Sequence, residues 1–503
     1  MLKVIIFDMD GTLIDSDELV MKIYESLIQY EMPKVSFESL DLGDVFQSSY
    51  KEVLIKLYGE VKEEHLDFIY QKHRDLKHRY LKLFDGVHHL LESLKREGYR
   101  LGLLTSELRD IAEDELNILG IDHFFDHILA FDDLEKPKPY PDGLYEHMTY
   151  FNCTKDEMMY IGDQKSDGIA ASKAYVYSVL MDWKNVKSLD YHILFQHVAH
   201  TKEDLLDIIS YDAKATIQMP NYHDLKILQL TDFHLMNDEK DQLTYQLIHD
   251  MINHVNPDFI VLTGDQTMSD DAPILYERLG SYMDQFKTPY TFVFGNHDTE
   301  HNVTYQSLIK AISKSKCLVF NEGPEHLGYS NHVIKIVDEN HIIIATLVML
   351  DTHIDNMYDI DEKMTWGYGS ITQNQIAWYQ HMMSFYPYPN LVFFHIPIPE
   401  VKEIKNKNTP FVGEFNEEPC TPPVNLHFFE VAKKHQAKAM FFGHDHLNDY
   451  TYIKDDIILS YGRVSGHYEY GMPGFPKGAR LINMSKDGTV KTKVILHNDI
   501  KKT

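Results

Sequence analysis

Residues 4–16 read VIIFDMDGTLIDS, a short apolar run that stops on two aspartates, Asp8 and Asp10, before Gly11-Thr12. Such a run describes a buried strand, and functional groups of a parallel sheet gather at the carboxyl ends of its strands. Residues i and i+2 of an extended chain project to the same side. The two carboxylates therefore stand over one pocket, where they suit a nucleophile and a general acid/base. Gly11-Thr12 then lets the backbone turn away.

Working outward, apolar runs alternate with helix-like segments as far as residue 210. KVIIF, RLGLLT, HILAF, MMYIGD and VYSVLM are the candidate strands, and the alternation predicts a parallel sheet covered by helices, a Rossmann-like α/β unit. Between the first two strands, roughly 17–95, stretches such as ELVMKIYESLIQY have helical apolar spacing with almost no Gly or Pro. That insertion reads as a helical cap above the active edge of the sheet. TKEDLLDII, with Thr201 as N-cap, closes the unit.

Each later strand end adds one group. Thr105 ends LGLLT, where a hydroxyl and a backbone N–H suit a phosphoryl oxygen. Lys136 lies in the Pro-stiffened EKPKPYPD, where its ammonium would neutralise phosphate and nucleophile, with Lys138 the competing choice. Asp163 and Asp167 of GDQKSD are hard oxygen donors suited to Mg²⁺. Singly, each is an ordinary residue; in this order, at successive strand ends, they describe one site.

DMDGT, the Thr105 strand end, KPKP and GDQKSD resemble the four motifs of the haloacid dehalogenase superfamily, in the subgroup with a helical cap. The resemblance covers essentially all of 1–210. It implies that Asp8 attacks phosphorus to form an aspartyl-phosphate, while Asp10 protonates the leaving group and then activates water. Thr105 and Lys136 would hold the phosphoryl group, and Asp8, Asp10, Asp163 and Asp167 make up the implied Mg²⁺ site. A phosphomutase carries the same motifs. Tyr175 departs from the pattern, where glycine is expected after ASKA.

Composition bounds the rest. With 503 residues, 44% apolar, the chain can bury large cores and suggests two to four domains. A formal charge of −29 argues against a general nucleic-acid or anionic-membrane surface, but not against small phosphorylated substrates. Three scattered cysteines exclude a disulfide framework, and IIIATLVML at 342–350 is far too short to span a membrane. The expectation is a cytoplasmic multidomain protein of unspecified oligomeric state.

SYDAKATIQMPNYHD, at 210–224, lacks periodicity, so 211–224 reads as a linker; a second unit follows over 225–498. Its apolar runs end on TDFH (Asp232, His234), TGD (Asp265), GNHD (Asn296, His297, Asp298), FFH (His395) and GHDH (His444, His446). Asp and His two residues apart both reach one cation, and mixed N/O ligation suits Mn, Fe or Zn.

This set resembles the calcineurin-like metallophosphoesterase superfamily, whose fold is a four-layer α/β/β/α sandwich. The resemblance implies one metal on Asp232, His234, Asp265 and His446. A second, bridged by Asp265, takes Asn296, His395 and His444. Such pairs sit about 3.5–4 Å apart and supply a bridging hydroxide. His297 would stabilise the transition state or protonate the leaving oxygen, with Asp298 either orienting it or lying at the surface. Met268 stands where purple acid phosphatases, a branch of this superfamily, carry a metal-binding tyrosine, so their charge-transfer colour is not expected. His353, Trp366, Tyr368, Arg463 and His467 are candidates to line the second pocket. The sequence thus predicts a bifunctional phosphohydrolase, or one catalytic unit joined to a phospholigand-sensing module.

Overall fold

The computed structural model describes residues 2–40, 45, 50–324, 327–360, 362–405, 409–468, 470–472 and 474–500. The chain divides into two compact units, 1–210 and 211–503.

In the first unit, β1 (Val4–Phe7), β2 (Arg100–Leu104), β3 (His127–Leu129), β4 (Met158–Gly162), β5 (Tyr177–Met181) and β6 (His197–Ala199) form one six-stranded sheet, ordered β3-β2-β1-β4-β5-β6. Every pairing is parallel. The period of two in β1 sends Ile5 and Phe7 into one core and Val4 and Ile6 into the other. All four are fully buried, which is why the run is continuously apolar. The first core also holds Leu19 of α1 (Asp17–Tyr30), Leu54 of α2 (Tyr50–Tyr58) and Ile69 of α3 (Glu63–Tyr80). Those helices are the cap. An antiparallel pair, Ile14–Asp15 with Lys82–Leu83, ties the base of the insertion. The cap therefore ends near residue 81 rather than 95, and α4 (Val87–Arg96) follows it. Residues 41–44 and 46–49 of the insertion lie outside the described residues. Tyr175 adopts φ +55°, the left-handed backbone that favours the expected glycine.

The predicted linker is not structureless. It carries the end of a helix, Lys202–Lys214, and β7 (Thr216–Gln218), an edge strand. In the second unit β8 (Leu225–Leu230), β9 (Phe259–Thr263) and β10 (Tyr290–Val293) run parallel. Antiparallel β20 and β21 complete their sheet in the order β10-β9-β8-β20-β21, where β20 is Gly478–Met484 and β21 is Val490–Leu496.

The facing eight-stranded sheet is ordered β16-β18-β19-β17-β15-β12-β11-β7. Its strands are β11 (His332–Val337), β12 (Ile343–Met349), β15 (Asn390–Phe393), β16 (Phe411–Val412), β17 (Ala437–Phe442), β18 (Thr451–Lys454) and β19 (Ile457–Tyr461), with β7. Ile227, Val261, Leu347 and Phe441 pack between the two sheets. On the outer side of the first sheet lie α5 (Asp241–Val255), α6 (Ala272–Met283) and α7 (Tyr305–Ile312). Against the second lie α8 (Gln373–Phe385) and α9 (Phe428–Lys434), where Tyr379 Oη donates to Asn390 Oδ1 at 2.8 Å. The layers are α/β/β/α, as expected. A separate hairpin, β13 (Asp355–Ile360) with β14 (Lys363–Tyr368), belongs to neither large sheet. Among the described residues no helix is long and apolar enough to cross a membrane.

Candidate active sites

The first site forms where β1, β2 and β4 end. Asp8 is buried and accepts from Lys138 Nζ at 2.6 Å. Lys138 also donates to Asp167 Oδ1 at 2.7 Å, and its side chain is 4% exposed. Lys136, the sequence choice, is exposed at the surface. The loop turns through Pro137, so only Lys138 points inward, and the competing reading replaces the first. Burial alone would lower Lys138, but Asp167 and Asp8 outweigh it and hold the ammonium above its ordinary range.

Asp163 accepts from Gln164 Nε2 at 2.8 Å and Lys187 Nζ at 3.0 Å, both through Oδ2. Its buried Oδ1 has no hydrogen-bond partner among the described residues. Asp8, Asp163 and Asp167 bring carboxylate oxygens within 4.8 Å of one another. Burial pushes Asp163 up to about 6 and Asp8 well above the ordinary carboxylate range, despite the nearby lysines. The cluster is short of positive charge, and an orphaned oxygen aimed into hard donors fits Mg²⁺.

Asp167, the third member of that group, is also fully hydrogen-bonded. Its Oδ1 takes Lys138 and Tyr160 Oη, and its Oδ2 takes the backbone N–H groups of Asp163 and Gln164. These bonds fix Lys138 and the Asp163 backbone. Asp10 lies outside the cation group; its carboxyl takes a hydrogen bond from Ser16, and burial raises it. Thr105 is buried after β2, its Oγ1 accepting from the Glu107 N–H at 3.1 Å. Gly11 has φ +75°, and a Cβ there would lie 2.4 Å from Asp163 Oδ2. That close approach is why glycine follows Asp10.

The second site collects the ends of β8, β9, β10, β15 and β17. Two groups, Asp232 with His234 and His446, and Asp265 with His395 and His444, each bring ligand atoms within 4.8 Å. His234 Nε2 faces His446 Nε2 at 3.2 Å. His395 Nδ1 donates to the Thr263 carbonyl at 2.8 Å, which turns its Nε2 to Asp265 Oδ2 at 3.0 Å and Asn296 Oδ1 at 3.1 Å. Asn296 thus joins the second group. The buried His444 Nε2 has no hydrogen-bond partner among the described residues. Burial pushes His444 and His234 down to about 3, while Asp265 is held well below its ordinary value by His395 and His234 against the cost of burial. Asp265 beside it instead overcomes burial and holds His395 up to about 9, with a proton that a cation would displace; imidazoles and carboxylates converging in one pocket are the mixed donors that fit transition-metal ions. Asp232, His234, Asp265 and His444 all have positive φ, strain that such sites commonly store. Gly264 has φ +92°, and a Cβ there would lie 2.3 Å from His395 Nδ1.

His297 stands at the edge, half-buried, its ring 5.3 Å from that of His234. Its Nδ1 donates to Glu300 Oε1 at 2.7 Å. Burial would lower it, but Asp265 and Glu300 prevail and raise it. Asp298 neither orients His297 nor lies at the surface. It is buried and accepts the N–H groups of Asp265, Gly295 and Thr267, knitting two ligand loops together.

Of the five substrate candidates, Tyr368 meets a ligand ring, standing at a near right angle to His444 at 4.5 Å. Trp366 packs on Tyr368 at 5.3 Å. Arg463 is buried and committed to Asp449 Oδ2 and the Pro476 carbonyl. The N–H of His467 is tied to Thr244 Oγ1, and His353 binds Gln375 Oε1 through Nε2. Reading the sequence missed Lys187, Glu300 and Tyr470, whose ring stacks on His446 at 4.4 Å. Glu300 was findable, three residues beyond His297 on a tight loop. Lys187 and Tyr470 carry no local signal.

The sequence pattern of the haloacid dehalogenase-like hydrolases matches residues 5–181, and that of the calcineurin-like phosphoesterases matches 225–448. The pyrophosphatase PpaX of Bacillus velezensis is 30% identical over 183 residues, 36% of this chain and 82% of the relative. Its counterpart from Halalkalibacterium halodurans is 28% identical over 221 residues, 42% of this chain and 99% of the relative. The probable inactive purple acid phosphatase 28 of Arabidopsis thaliana is 29% identical over 299 residues, 51% of this chain and 74% of the relative.

Proposed function

The chain belongs to the haloacid dehalogenase-like hydrolases in its first unit and to the calcineurin-like phosphoesterases in its second, and from that premise we propose a phosphohydrolase with two active sites of unrelated chemistry. One observation carries the reading: each unit aims a buried, unpartnered ligand atom, Asp163 Oδ1 or His444 Nε2, into a preformed cation group.

In the first site Asp8 is the nucleophile, attacking phosphorus as the bond to the leaving oxygen breaks. Asp10, raised by burial, gives that oxygen a proton and then takes one from the water that hydrolyses the aspartyl-phosphate. Lys138 balances the charge on Asp8 and the phosphoryl group, and Thr105 holds a phosphoryl oxygen. Asp8 and Asp163 would hold Mg²⁺, with Asp167 fixing Lys138 and the Asp163 backbone. When bound, Mg²⁺ supplies the positive charge that keeps Asp8 ionised. Because the PpaX relatives are named pyrophosphatases, pyrophosphate is the substrate to try first.

In the second site Asp232, His234, Asp265, Asn296, His395, His444 and His446 would hold a cation pair drawn from Mn, Fe or Zn. When bound, the pair supplies the acidity that makes water a nucleophile near neutral pH. His297, held by Glu300 and with its ring beside His234, protonates the leaving oxygen of a phosphomonoester or diester. The two sites act in series where the second liberates a monoester that the first consumes.

A sensing role for the second unit is favoured by one observation, the word inactive in the name of the Arabidopsis relative. Against it stand the complete ligand set and His297. Removing metal with a chelator separates the readings. Hydrolysis reading predicts that diester cleavage is lost and returns with Mn²⁺; sensing predicts phosphate binding with no turnover in any metal.

A further inference from the structure

The hairpin β13–β14 turns two unlike faces outward and inward. Tyr358 and Gly367 lie on its inward face: Tyr358 Oη donates to the Tyr368 carbonyl at 2.7 Å, and a Cβ on Gly367 would meet Pro423 at 2.4 Å. The alternate residues pair across the strands on the other face, Asp355 with Tyr368, Met357 with Trp366 and Asp359 with Met364. Met357, Met364 and Trp366 are exposed there, Trp366 by 55%. The Trp366 and Tyr368 rings meet at 61°, two walls of a corner. Trp366 Nε1–H donates to Asp355, which fixes the indole and sets a carboxylate beside it. Tyr368 continues the face directly to His444 of the second site.

We propose that this face binds an alkylammonium group on the substrate whose phosphoryl group lies at the second site. The inference rests on reading that site as a phosphoesterase. The charge on the face selects the ligand. A neutral group gains only contact with rings and thioethers, and an anionic one is repelled by Asp355 and Asp359. An alkylammonium gains the ring quadrupoles, the carboxylates and methyl packing on Met357 and Met364 together. The substrate class is therefore a phosphoester of an amino alcohol.

The test compares two diesters on the full Mn²⁺-loaded chain, p-nitrophenyl phosphocholine and its uncharged isostere p-nitrophenyl 3,3-dimethylbutyl phosphate. Hydrolysis of the first consumes one water: its oxygen joins phosphorus, the P–O bond to the aryl group breaks, nitrophenolate leaves with the electron pair, and phosphocholine and a proton are released. The expected kcat/KM ratio is about tenfold in favour of the charged ester, carried by KM, the scale of a partly desolvated cation–π contact. It falls toward one in Trp366→Leu and in Asp355→Asn, a milder change that spares the fold of the hairpin. A ratio of one in the unaltered chain overturns the proposal, as does a preference that survives both substitutions. Better turnover of thymidine 5′-p-nitrophenyl phosphate than of either ester also overturns it, in favour of a stacking platform for a base. If neither ester is cleaved, the phosphoesterase reading fails, and calorimetry still decides the face. Phosphocholine binding tighter than 3,3-dimethylbutyl phosphate supports the proposal, and equal binding sinks it.

Discussion

Two lysines separated by one proline carry opposite fates. Lys138 bridges Asp8 and Asp167 in a buried pocket, while Lys136 is exposed. Lys138→Ala is expected to lower phosphomonoester kcat by about 10²–10³, the usual loss for one electrostatic stabiliser. Lys136→Ala should stay within about threefold in the same steady-state assay, the scale of an exposed charge. Equal losses would return the role to Lys136. At the second site, Glu300 helps to raise His297. Glu300→Gln keeps an acceptor for Nδ1–H but removes the charge, so the acid form of His297 is lost at lower pH. The high-pH limb of the diester kcat profile should shift to lower pH, with kcat falling about 10-fold to 100-fold above it. A profile that stays in place would leave Glu300 no part in tuning His297.

Between elements, the cap helix α3 meets the core helix Arg109–Leu119 through two contacts, His73 with Glu115 at 3.2 Å and Lys77 with Asp114. Burial, then the charges on Asp10 and Glu107, push Glu115 up to about 9, and burial pushes His73 down to about 4. Both are neutral near pH 7. A carboxyl raised on folding contributes stability that is present below its unfolded pKa of about 4.3 and lost as pH rises through the folded value. Lowered His73 works the opposite way between about 4 and its unfolded value near 6.5 and offsets the loss there, so the metal-free chain should lose melting temperature chiefly between about pH 6.5 and 9, and Glu115→Gln should flatten that slope. An unchanged slope would show that Glu115 ionises as freely folded as unfolded. Elements also differ in legibility. The strands that deliver ligands are short apolar runs, plain in the sequence because both their faces are buried. β20 was missed because Arg480 interrupts it, a buried guanidinium spent on the Tyr461 and Asp449 carbonyls. β13 and β14 were missed because their exposed aromatic and acidic residues follow no burial pattern.

At the scale of the whole molecule, two folds of different families share one chain, and each candidate site is placed by strand ends rather than by the core. The candidate cation groups were legible because most of their members, Asp167 apart, follow directly on an apolar run. The choice between Lys136 and Lys138, the inward turn of Asp298 and the partners of Asp167 were not, since spacing fixes where a loop residue sits but not which way it faces. The central claim, two independent hydrolytic sites, is tested most directly by one matrix of substitutions. Asp8→Asn and His297→Ala would be assayed singly and together against a phosphomonoester with Mg²⁺ and a phosphodiester with Mn²⁺. The account predicts that Asp8→Asn removes the Mg²⁺-dependent monoester activity and spares the diester, that His297→Ala does the reverse, and that the double variant is inert. Loss of both activities from either single substitution, or a double variant that still cleaves both substrates, would contradict it.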